Sequence, residues 1–278
     1  MQKQLIAAMA VTTFMLAACG GGSNGSGGAK AEGAPAGTDS ATTPAPANTD
    51  PLDAACLAAP ATGQKITATL TVGPVSQVGT FDAKAIGTTV FDGGSYDTIE
   101  VKLVNGIFDG DGTNFRLHTD PASAIFPVGV TEYRRFGQSQ YNKYRRFAFK
   151  DDVSGQTGIP NLVGMKPNET RSFTMSEANA EELATHPQPA LKPIARVVNV
   201  AVQYVGREDV TAMGVTYKGA CKLALHYDRK YPGSLFPLPV LEGTAWLAPG
   251  AGIVKLSGAP LVGVAAVTAE TTGIVAAN

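Results

Sequence analysis

Four arginines close together in the sequence are the side chains of this chain best suited to bind an anion. The tetrapeptide Tyr-Arg-Arg-Phe occurs twice, at 133–136 and at 144–147. A guanidinium group can form two parallel hydrogen bonds to a phosphate or a carboxylate, which a lysine cannot do. The repeat therefore predicts an anion-binding site, whose members are Arg134, Arg135, Arg145 and Arg146.

The same stretch is also typical of a β-hairpin whose outward-facing side chains are exposed to solvent. If residues 131–137 and 143–149 pair in a symmetric register, Arg134 faces Arg146 and the two inner arginines face each other. Like charges directly opposite destabilise a sheet. A different register, neutralisation by nearby acids or an anion bound between the arginines would each relieve the repulsion, and a plain solvated hairpin is the simplest outcome. The nearby acids are Glu132, Asp151 and Asp152.

A run of acidic residues raises the question of calcium binding. Asp109, Asp111 and Asp120 fall at positions 1, 3 and 12 of a calcium loop. That loop needs Gly at position 6, where this chain has Asn114, and it favours Glu at position 12. The Asp-Gly-Asp-Gly run is first of all typical of a hairpin turn. A weak calcium site is the alternative.

The first 18 residues predict a lipoprotein signal peptide. An apolar run from Leu5 to Ala18 has the length of a signal-peptide core and is shorter than the ~20 residues that span a bilayer. It ends in Leu-Ala-Ala-Cys, which resembles the lipobox of bacterial lipoproteins. The resemblance implies cleavage before Cys19 and acylation of Cys19 with palmitate or similar chains. A secretory signal with a chance cysteine is the alternative.

The residues after Cys19 predict which membrane carries the protein and what kind of segment links the membrane to the domain. Members of the lipoprotein family that stay in the inner membrane usually carry Asp after the cysteine, so Gly20 implies the outer membrane. Residues 19–51 are rich in Gly, Ser, Ala and Pro and cannot bury enough apolar area to offset the entropy of ordering. They are expected to form a flexible tether with a reach of about 30 Å.

Two further cysteines remain once Cys19 is acylated. Cys56 and Cys221 form an even pair in an oxidising compartment, which predicts a disulfide bond between them. Two buried free thiols are the alternative. A zinc site is disfavoured because no histidine stands at ligand spacing.

Residues 52–278 predict one β-rich globular domain, an antiparallel half-barrel or a sandwich. Apolar residues alternate with polar ones, which indicates strands with one wet face. The clearest examples are 65–73, 98–106, 196–206 and 221–228. One short helix is predicted over 174–186, where Thr174 and Glu177 have capping-box spacing. The segments 78–87 and 205–214 share a Val-Gly-x-x-Asp-x-x-Ala-x-Gly pattern. This suggests two related β units, about 56–150 and 190–278, with a chance match as the alternative.

The second half of the chain carries another resemblance. A Trp-x-Ala-Pro-Gly-x-Gly-x-Val-Lys tail runs from Trp246 to Lys255 and follows a strand that bears a glutamate. Together they are similar to a group of uncharacterised proteobacterial envelope proteins, many of them lipoproteins. No reaction is assigned to that group, so the resemblance implies only an envelope location. Trp246, the one tryptophan of the chain, is expected in the core.

These features favour a binding protein over an enzyme. The three histidines stand in no metal-binding or catalytic pattern, and no Gly-x-Ser-x-Gly nucleophile elbow occurs outside the Gly- and Ser-rich tether. No cofactor motif is present, and the net charge of −1 does not select polyanions. The expected partners are the membrane, through Cys19, and an anionic lipid, a glycan or an envelope protein. Nucleic acid is not expected, and an envelope hydrolase without a recognisable motif is the alternative function.

Overall fold

The computed structural model describes residues 50–57, 62–72, 75–104, 112–117, 126–136, 139–158, 160–183, 191–230, 238–249, 251–260 and 267–275. Within these ranges the chain forms one short helix and twelve strands. They are α1 (Ala54–Leu57), β1 (Lys65–Val72), β2 (Val75–Phe91), β3 (Gly94–Val104), β4 (Gly112–Leu117), β5 (Pro127–Phe136), β6 (Ser139–Asp151), β7 (Thr170–Leu183), β8 (Lys192–Ala212), β9 (Val215–Lys230), β10 (Leu238–Ala248), β11 (Gly252–Pro260) and β12 (Val267–Val275). No helix in the described ranges is long and apolar enough to cross a membrane.

The strands form one antiparallel sheet in chain order, and this sheet closes on itself. Each strand pairs with the strand before it and the strand after it, and β1 also pairs with β12. Among the twelve strands that the structure describes, closure leaves none at an open edge of the kind that promotes aggregation. The prediction of a mainly β domain built on a curled antiparallel half-barrel sheet is confirmed, and the curl continues until the first and last strands meet. Both suggested β units contribute strands to this one sheet.

The apolar core lies on one face of the sheet, which we call the core face. Alternate residues of β8 and β9 show the pattern, since Val200, Val202, Leu223 and Leu225 are all buried in one cluster. Full burial of such a side chain contributes about 1.5–3 kcal/mol. Strand alternation places the intervening residues on the outer face. Alternation along β8 and β9 therefore has the role that the sequence predicts.

The helix predicted over 174–186 is wrong where the structure describes that segment. Strand β7 lies there, hydrogen-bonded to β6 on one side and to β8 on the other. Phe173 is buried in the core and Met175 packs against it, as the period of a strand requires. The capping-box spacing of Thr174 and Glu177 is a local signal, and two long ladders of tertiary hydrogen bonds override it. Residues 184–186 lie outside the described residues.

One end of the barrel is closed by a plug, made of residues 50–57 and the loop 160–169. The Leu52 N–H donates to Met165 O at 2.9 Å, and the Gly164 N–H donates to Leu52 O at 2.8 Å. Four apolar side chains of the plug are at most 1% exposed: Leu52, Leu57, Leu162 and Met165. The plug therefore completes the core at this end, which we call the plugged end.

A disulfide bond fastens the plug to the barrel wall. Cys56 of α1 is bonded to Cys221 of β9, as the cysteine count predicts, and the two residues are 165 apart in the sequence. Asp53 lies near both sulfur atoms. Its carboxylate accepts the Cys56 N–H at 3.0 Å and forms an ion pair with Arg207. Because the sulfur atoms are bonded to each other, this group of residues is a structural joint rather than a metal site.

Candidate anion-binding site

The hairpin that contains the four arginines has a different register from the symmetric one predicted, so that prediction is wrong. Gly129 pairs with Arg146 and Val130 pairs with Arg145. Arg134 and Arg135 pair through their backbones with Tyr141 and Gln140. The reason is that β5 ends at Phe136 and β6 begins at Ser139, so the connection is shorter than the symmetric pairing assumed. No arginine faces another across the hairpin, and the predicted repulsion does not arise.

Strand alternation separates Arg145 from Arg146. Arg145 shares the core face of β6 with Phe147 and Phe149, which are buried in the main cluster. Arg146 points the other way, to the outer face, and is exposed. For Arg134 and Arg135 the structure describes the backbone alone. The four candidates therefore do not form one cluster around a single anion.

Arg145 is held against apolar groups on the core face. Its guanidinium carbon lies 5.9 Å from the ring centroid of Phe147, within cation–π range. Its Nε is buried. Across the two neighbouring ladders it faces Val130, which is 1% exposed, and Asn179. A cation is thus placed at the border of the apolar core.

Polar residues surround Arg145 on the core face, and we call them the polar belt: Lys143, Arg145, Glu177 and Asn179. They lie on the neighbouring strands β6 and β7, where Arg145 pairs with Asn179 and Phe147 pairs with Glu177. Glu177 is only 4% exposed, so a carboxylate is buried here as well. Two cations and one carboxylate leave the belt with a net charge of +1.

Strand β9 adds one more polar group to the core face. Tyr227 follows Leu225 by two residues and packs against the main cluster. Burial raises the pKa of its hydroxyl, which therefore stays protonated. That hydroxyl has no hydrogen-bond partner among the described residues. A buried donor of this kind favours a bound water or ligand group on the inside of the barrel.

Arg146 already has a protein partner on the outer face. It forms an ion pair with Asp92, at the turn between β2 and β3. Beside it, the buried ring of Phe91 lies against Gly129, the residue that pairs with Arg146. The β2–β3 hairpin thus folds over the outer face of β5 and β6. Arg146 serves this contact and is a weaker candidate for an exogenous anion.

A second polar cluster lies on the outer face of β8, β9 and β10, and the sequence analysis missed it. Trp246, expected in the core, is only partly buried there, and its indole N–H donates to Glu208 at 2.6 Å. Lys222 lies 3.1 Å from Glu208 and 5.5 Å from the indole ring centroid. Burial raises the pKa of Glu208, but the hydrogen bonds from Trp246 and Lys222 outweigh it, so the pKa is lowered. The spacing of glutamate, lysine and tryptophan in the sequence gives no sign of this contact.

The small residues around this cluster explain why the tryptophan lies outside. Val210, Ala220, Ala248 and Val254 form a separate buried cluster, against which Tyr217 and Trp246 pack. A bulge between Trp246 and Leu247 shifts the register with β11. Leu247 is fully buried in the main core. The indole therefore joins three strands on the outer face and is a structural contact.

The remaining predicted site residues lie outside the described residues. They are the lipidation residue Cys19 and the calcium candidates Asp109, Asp111 and Asp120. Of the histidines, the structure describes His226. It lies on β9 between Asp228, at 3.1 Å, and Glu242, at 3.3 Å.

Comparison with known proteins assigns no family to the chain. No protein-family model matches it, and no curated protein matches it.

Two solved structures are similar over most of their length. One is a Bacteroides fragilis protein described as exported, with a YmcC-like fold. It is 11% identical, with a TM-score of 0.37, over 82% of this chain and 99% of that one. The other, from Parabacteroides distasonis and described as a lipoprotein, is 10% identical. Its TM-score is 0.34, over 77% of this chain and 96% of that one. At these TM-scores neither likeness carries an argument, and the proposals below depend on the chain's own residues.

Proposed function

We propose that this chain is a bacterial envelope lipoprotein that binds an amphiphilic molecule carrying an anionic group, and that it is not an enzyme. The polar belt around Arg145 receives the anionic group. Apolar side chains at the margin of the belt contact the neighbouring part of the hydrocarbon. The protein is anchored to the membrane, the outer membrane in particular, through acyl chains on Cys19.

The observation that carries the proposal is the position of Arg145. A cation at the border of an apolar core costs free energy unless it is compensated. Phe147 and the polar belt surround the guanidinium group of Arg145 with groups that tolerate a charge. The anionic group of an amphiphile could bind the guanidinium fork in these surroundings. The buried hydroxyl of Tyr227 supplies a further donor on the same face.

The anchor is supported by the sequence alone. An apolar run, the Leu-Ala-Ala-Cys ending and the Gly-, Ser-, Ala- and Pro-rich segment up to residue 51 stand in the order expected of a lipoprotein. Several acyl chains on one cysteine hold a protein firmly, since each buried CH₂ contributes ~0.8 kcal/mol. The disulfide between Cys56 and Cys221 agrees with an oxidising compartment outside the cytoplasm.

Binding of defined lysolipids tests the proposal. The full-length protein, purified in a non-ionic detergent, is titrated with lysophosphatidylglycerol and with lysophosphatidylcholine of the same chain length, and native mass spectrometry counts the bound molecules. We expect preferential binding of the anionic lysolipid. Arg145→Gln should weaken that binding roughly ten- to hundredfold, which corresponds to about 1.4–2.8 kcal/mol for a lost charge-assisted contact.

Arg146→Gln is the matched control, because it removes the same charge from the next residue on the opposite face. It should leave lysolipid binding unchanged and lower stability by at most about 1 kcal/mol, the usual value of an exposed ion pair. Equal binding of the two lysolipids by the wild type would contradict the proposed anion recognition. If Arg146→Gln weakened lysolipid binding and Arg145→Gln did not, the anion-binding site would lie on the outer face.

A further inference from the structure

A buried acid lies beside the arginine that is proposed to bind an anion. The backbone of Glu177 pairs with Phe147, which follows Arg145 by two residues on β6. Glu177 is 4% exposed, and no other acidic side chain that the structure describes is buried. A carboxylate removed from water costs free energy unless a cation or hydrogen-bond donors compensate it. The polar belt therefore contains a group that repels an anion and that favours a positively charged donor.

The spacing between Arg145 and Glu177 suits a ligand that carries two opposite charges. Arg145 pairs with Asn179, and Glu177 precedes Asn179 by two residues on β7. Diagonal neighbours across an antiparallel pair are about 7–8 Å apart and within reach of each other's long side chains. Two oppositely charged groups of one small headgroup can therefore contact Arg145 and Glu177 at the same time.

Acids occupy two further register positions, on either side of Lys143, the second cation of the polar belt. The backbone of Lys143 pairs with Glu132 of β5 and with Glu181 of β7. For these two glutamates the structure describes the backbone alone. Counted by register position, the rows of Lys143, Arg145 and Phe147 carry two cations and three acids across β5, β6 and β7. A ligand that brings a positive charge together with its negative one complements this set better than a simple anion does.

An ammonium group joined to a phosphate by two carbon atoms has the required chemistry. Its N–H groups can donate to a carboxylate, and charge-assisted hydrogen bonds of this kind are strong. Its phosphate can accept two parallel hydrogen bonds from a guanidinium fork. A quaternary ammonium group has no N–H to donate, so a carboxylate recognises it less well. The site therefore favours an ethanolamine headgroup over a choline headgroup.

We infer that the polar belt binds a phosphoethanolamine headgroup. Arg145 binds the phosphate, and Glu177 accepts hydrogen bonds from the ammonium group. Asn179, opposite Arg145 in the register, can serve either group, because an amide both donates and accepts. This inference rests on the binding of an amphiphile proposed above, and it names the class of headgroup that the amphiphile carries.

Two lysolipids that differ only in the amine test the inference. Lysophosphatidylethanolamine and lysophosphatidylethanol share the phosphate, the two-carbon link and the acyl chain, but only the first has an ammonium group. The full-length protein in a non-ionic detergent is titrated with each of them, and native mass spectrometry counts the bound molecules. We expect the wild type to bind lysophosphatidylethanolamine roughly tenfold more tightly, which corresponds to one charge-assisted hydrogen bond.

Two variants separate the two halves of the headgroup. Glu177→Gln removes the charge that recognises the ammonium group, so the preference should fall below about threefold, while lysophosphatidylethanol binds as well as before or better. Arg145→Gln removes the phosphate contact and should weaken binding of both lysolipids. Glu242→Gln is the matched control, because it makes the same change on the outer face, where that side chain is 63% exposed. It should leave the preference unchanged.

The outcomes separate this inference from the proposed function. A wild type that binds both lysolipids equally would overturn the inference, because the acids would then only neutralise cations within the protein, and it would leave the recognition of an anionic group intact. A wild type that binds neither lysolipid would overturn the proposed function and the inference with it. Full preference in Glu177→Gln would overturn the role of that residue. The wild-type preference decides the question even if Glu177→Gln does not fold.

Discussion

Arg145 and Arg146 show how much the surroundings of a residue decide its role. They are adjacent and carry the same charge, yet one contacts the ring of Phe147 on the core face and the other forms an ion pair with Asp92 on the outer face. The sequence could identify both as anion-binding candidates. It could not separate them, because the face of a strand residue depends on a register that distant residues determine.

Glu208 gives a prediction at the same scale. Hydrogen bonds from Trp246 and Lys222 outweigh burial and lower its pKa. A carboxyl whose pKa is lower in the folded state adds stability above its unfolded pKa, and that stability is lost as the pH falls through the folded pKa. The melting temperature of the wild type should therefore fall more steeply between about pH 5 and pH 3 than that of Glu208→Gln.

The control for this prediction is Glu242→Gln, on the same outer face and with a side chain that is 63% exposed. This change removes an exposed carboxylate from that face and keeps the hydrogen bond from Trp246 to Glu208. Glu208→Gln curves that run parallel to those of the wild type over this range would contradict the role given to the contact with Trp246.

At the scale of the elements, periodicity predicted the strands and failed at one segment. Alternating residues such as Val198, Val200 and Val202 identified β8, because a strand that buries one face must alternate. The segment of β7 has alternating residues too, but its alanines and glutamates are good helix formers. Hydrogen bonding to β6 and β8 makes this segment a strand, and the local sequence pattern contains no information about those partners. For the same reason the register of the β5–β6 hairpin was beyond the sequence.

The contact between the β2–β3 hairpin and β5 gives a prediction about an element. A Cβ added at Gly129 would overlap the ring of Phe91. Gly129→Ala should therefore displace the hairpin and lower the free energy of unfolding by about 1–3 kcal/mol, as overpacking does. Urea unfolding measures this change. Gly158→Ala is the control, because an added Cβ there meets no atom within 4 Å, and it should change stability by less than about 0.5 kcal/mol.

A Gly129→Ala protein as stable as the wild type would show that the hairpin does not pack on β5. Phe91→Ala combined with Gly129→Ala is informative as well. The loss from the double change should be smaller than the sum of the two single losses, because the ring that the new methyl group meets is gone.

For the whole molecule, the sequence predicted the fold class and the disulfide bond, but not the closure of the sheet into a barrel. Lys65 of β1 pairs with Val275 of β12, at nearly opposite ends of the domain. Nothing in the periodicity of either strand indicates that pairing. The plug was missed for a similar reason, since Leu52 and Met165 show no pattern until the barrel brings them together. The cysteine count did predict the disulfide bond, because that prediction depends on chemistry rather than on geometry.

The anchor gives a prediction for the whole chain in the cell. Cys19→Ser should prevent incorporation of radiolabelled palmitate, because the serine hydroxyl replaces the thiol that the resemblance to lipoproteins implies is acylated. The wild type should label and sediment with outer-membrane fractions. Palmitate labelling of the Cys19→Ser protein would contradict the assignment of the lipidation residue.

The most direct test of the proposed function is the identity of any molecule that the protein retains from the envelope. The full-length wild type, Arg145→Gln and Arg146→Gln proteins are extracted in a mild detergent and examined by native mass spectrometry, with fragmentation of any bound mass. We predict an amphiphile with an anionic group bound to the wild type and to Arg146→Gln and lost from Arg145→Gln. A wild type that carries no mass beyond its own acyl chains, or an Arg145→Gln protein that retains the same amphiphile, would contradict it.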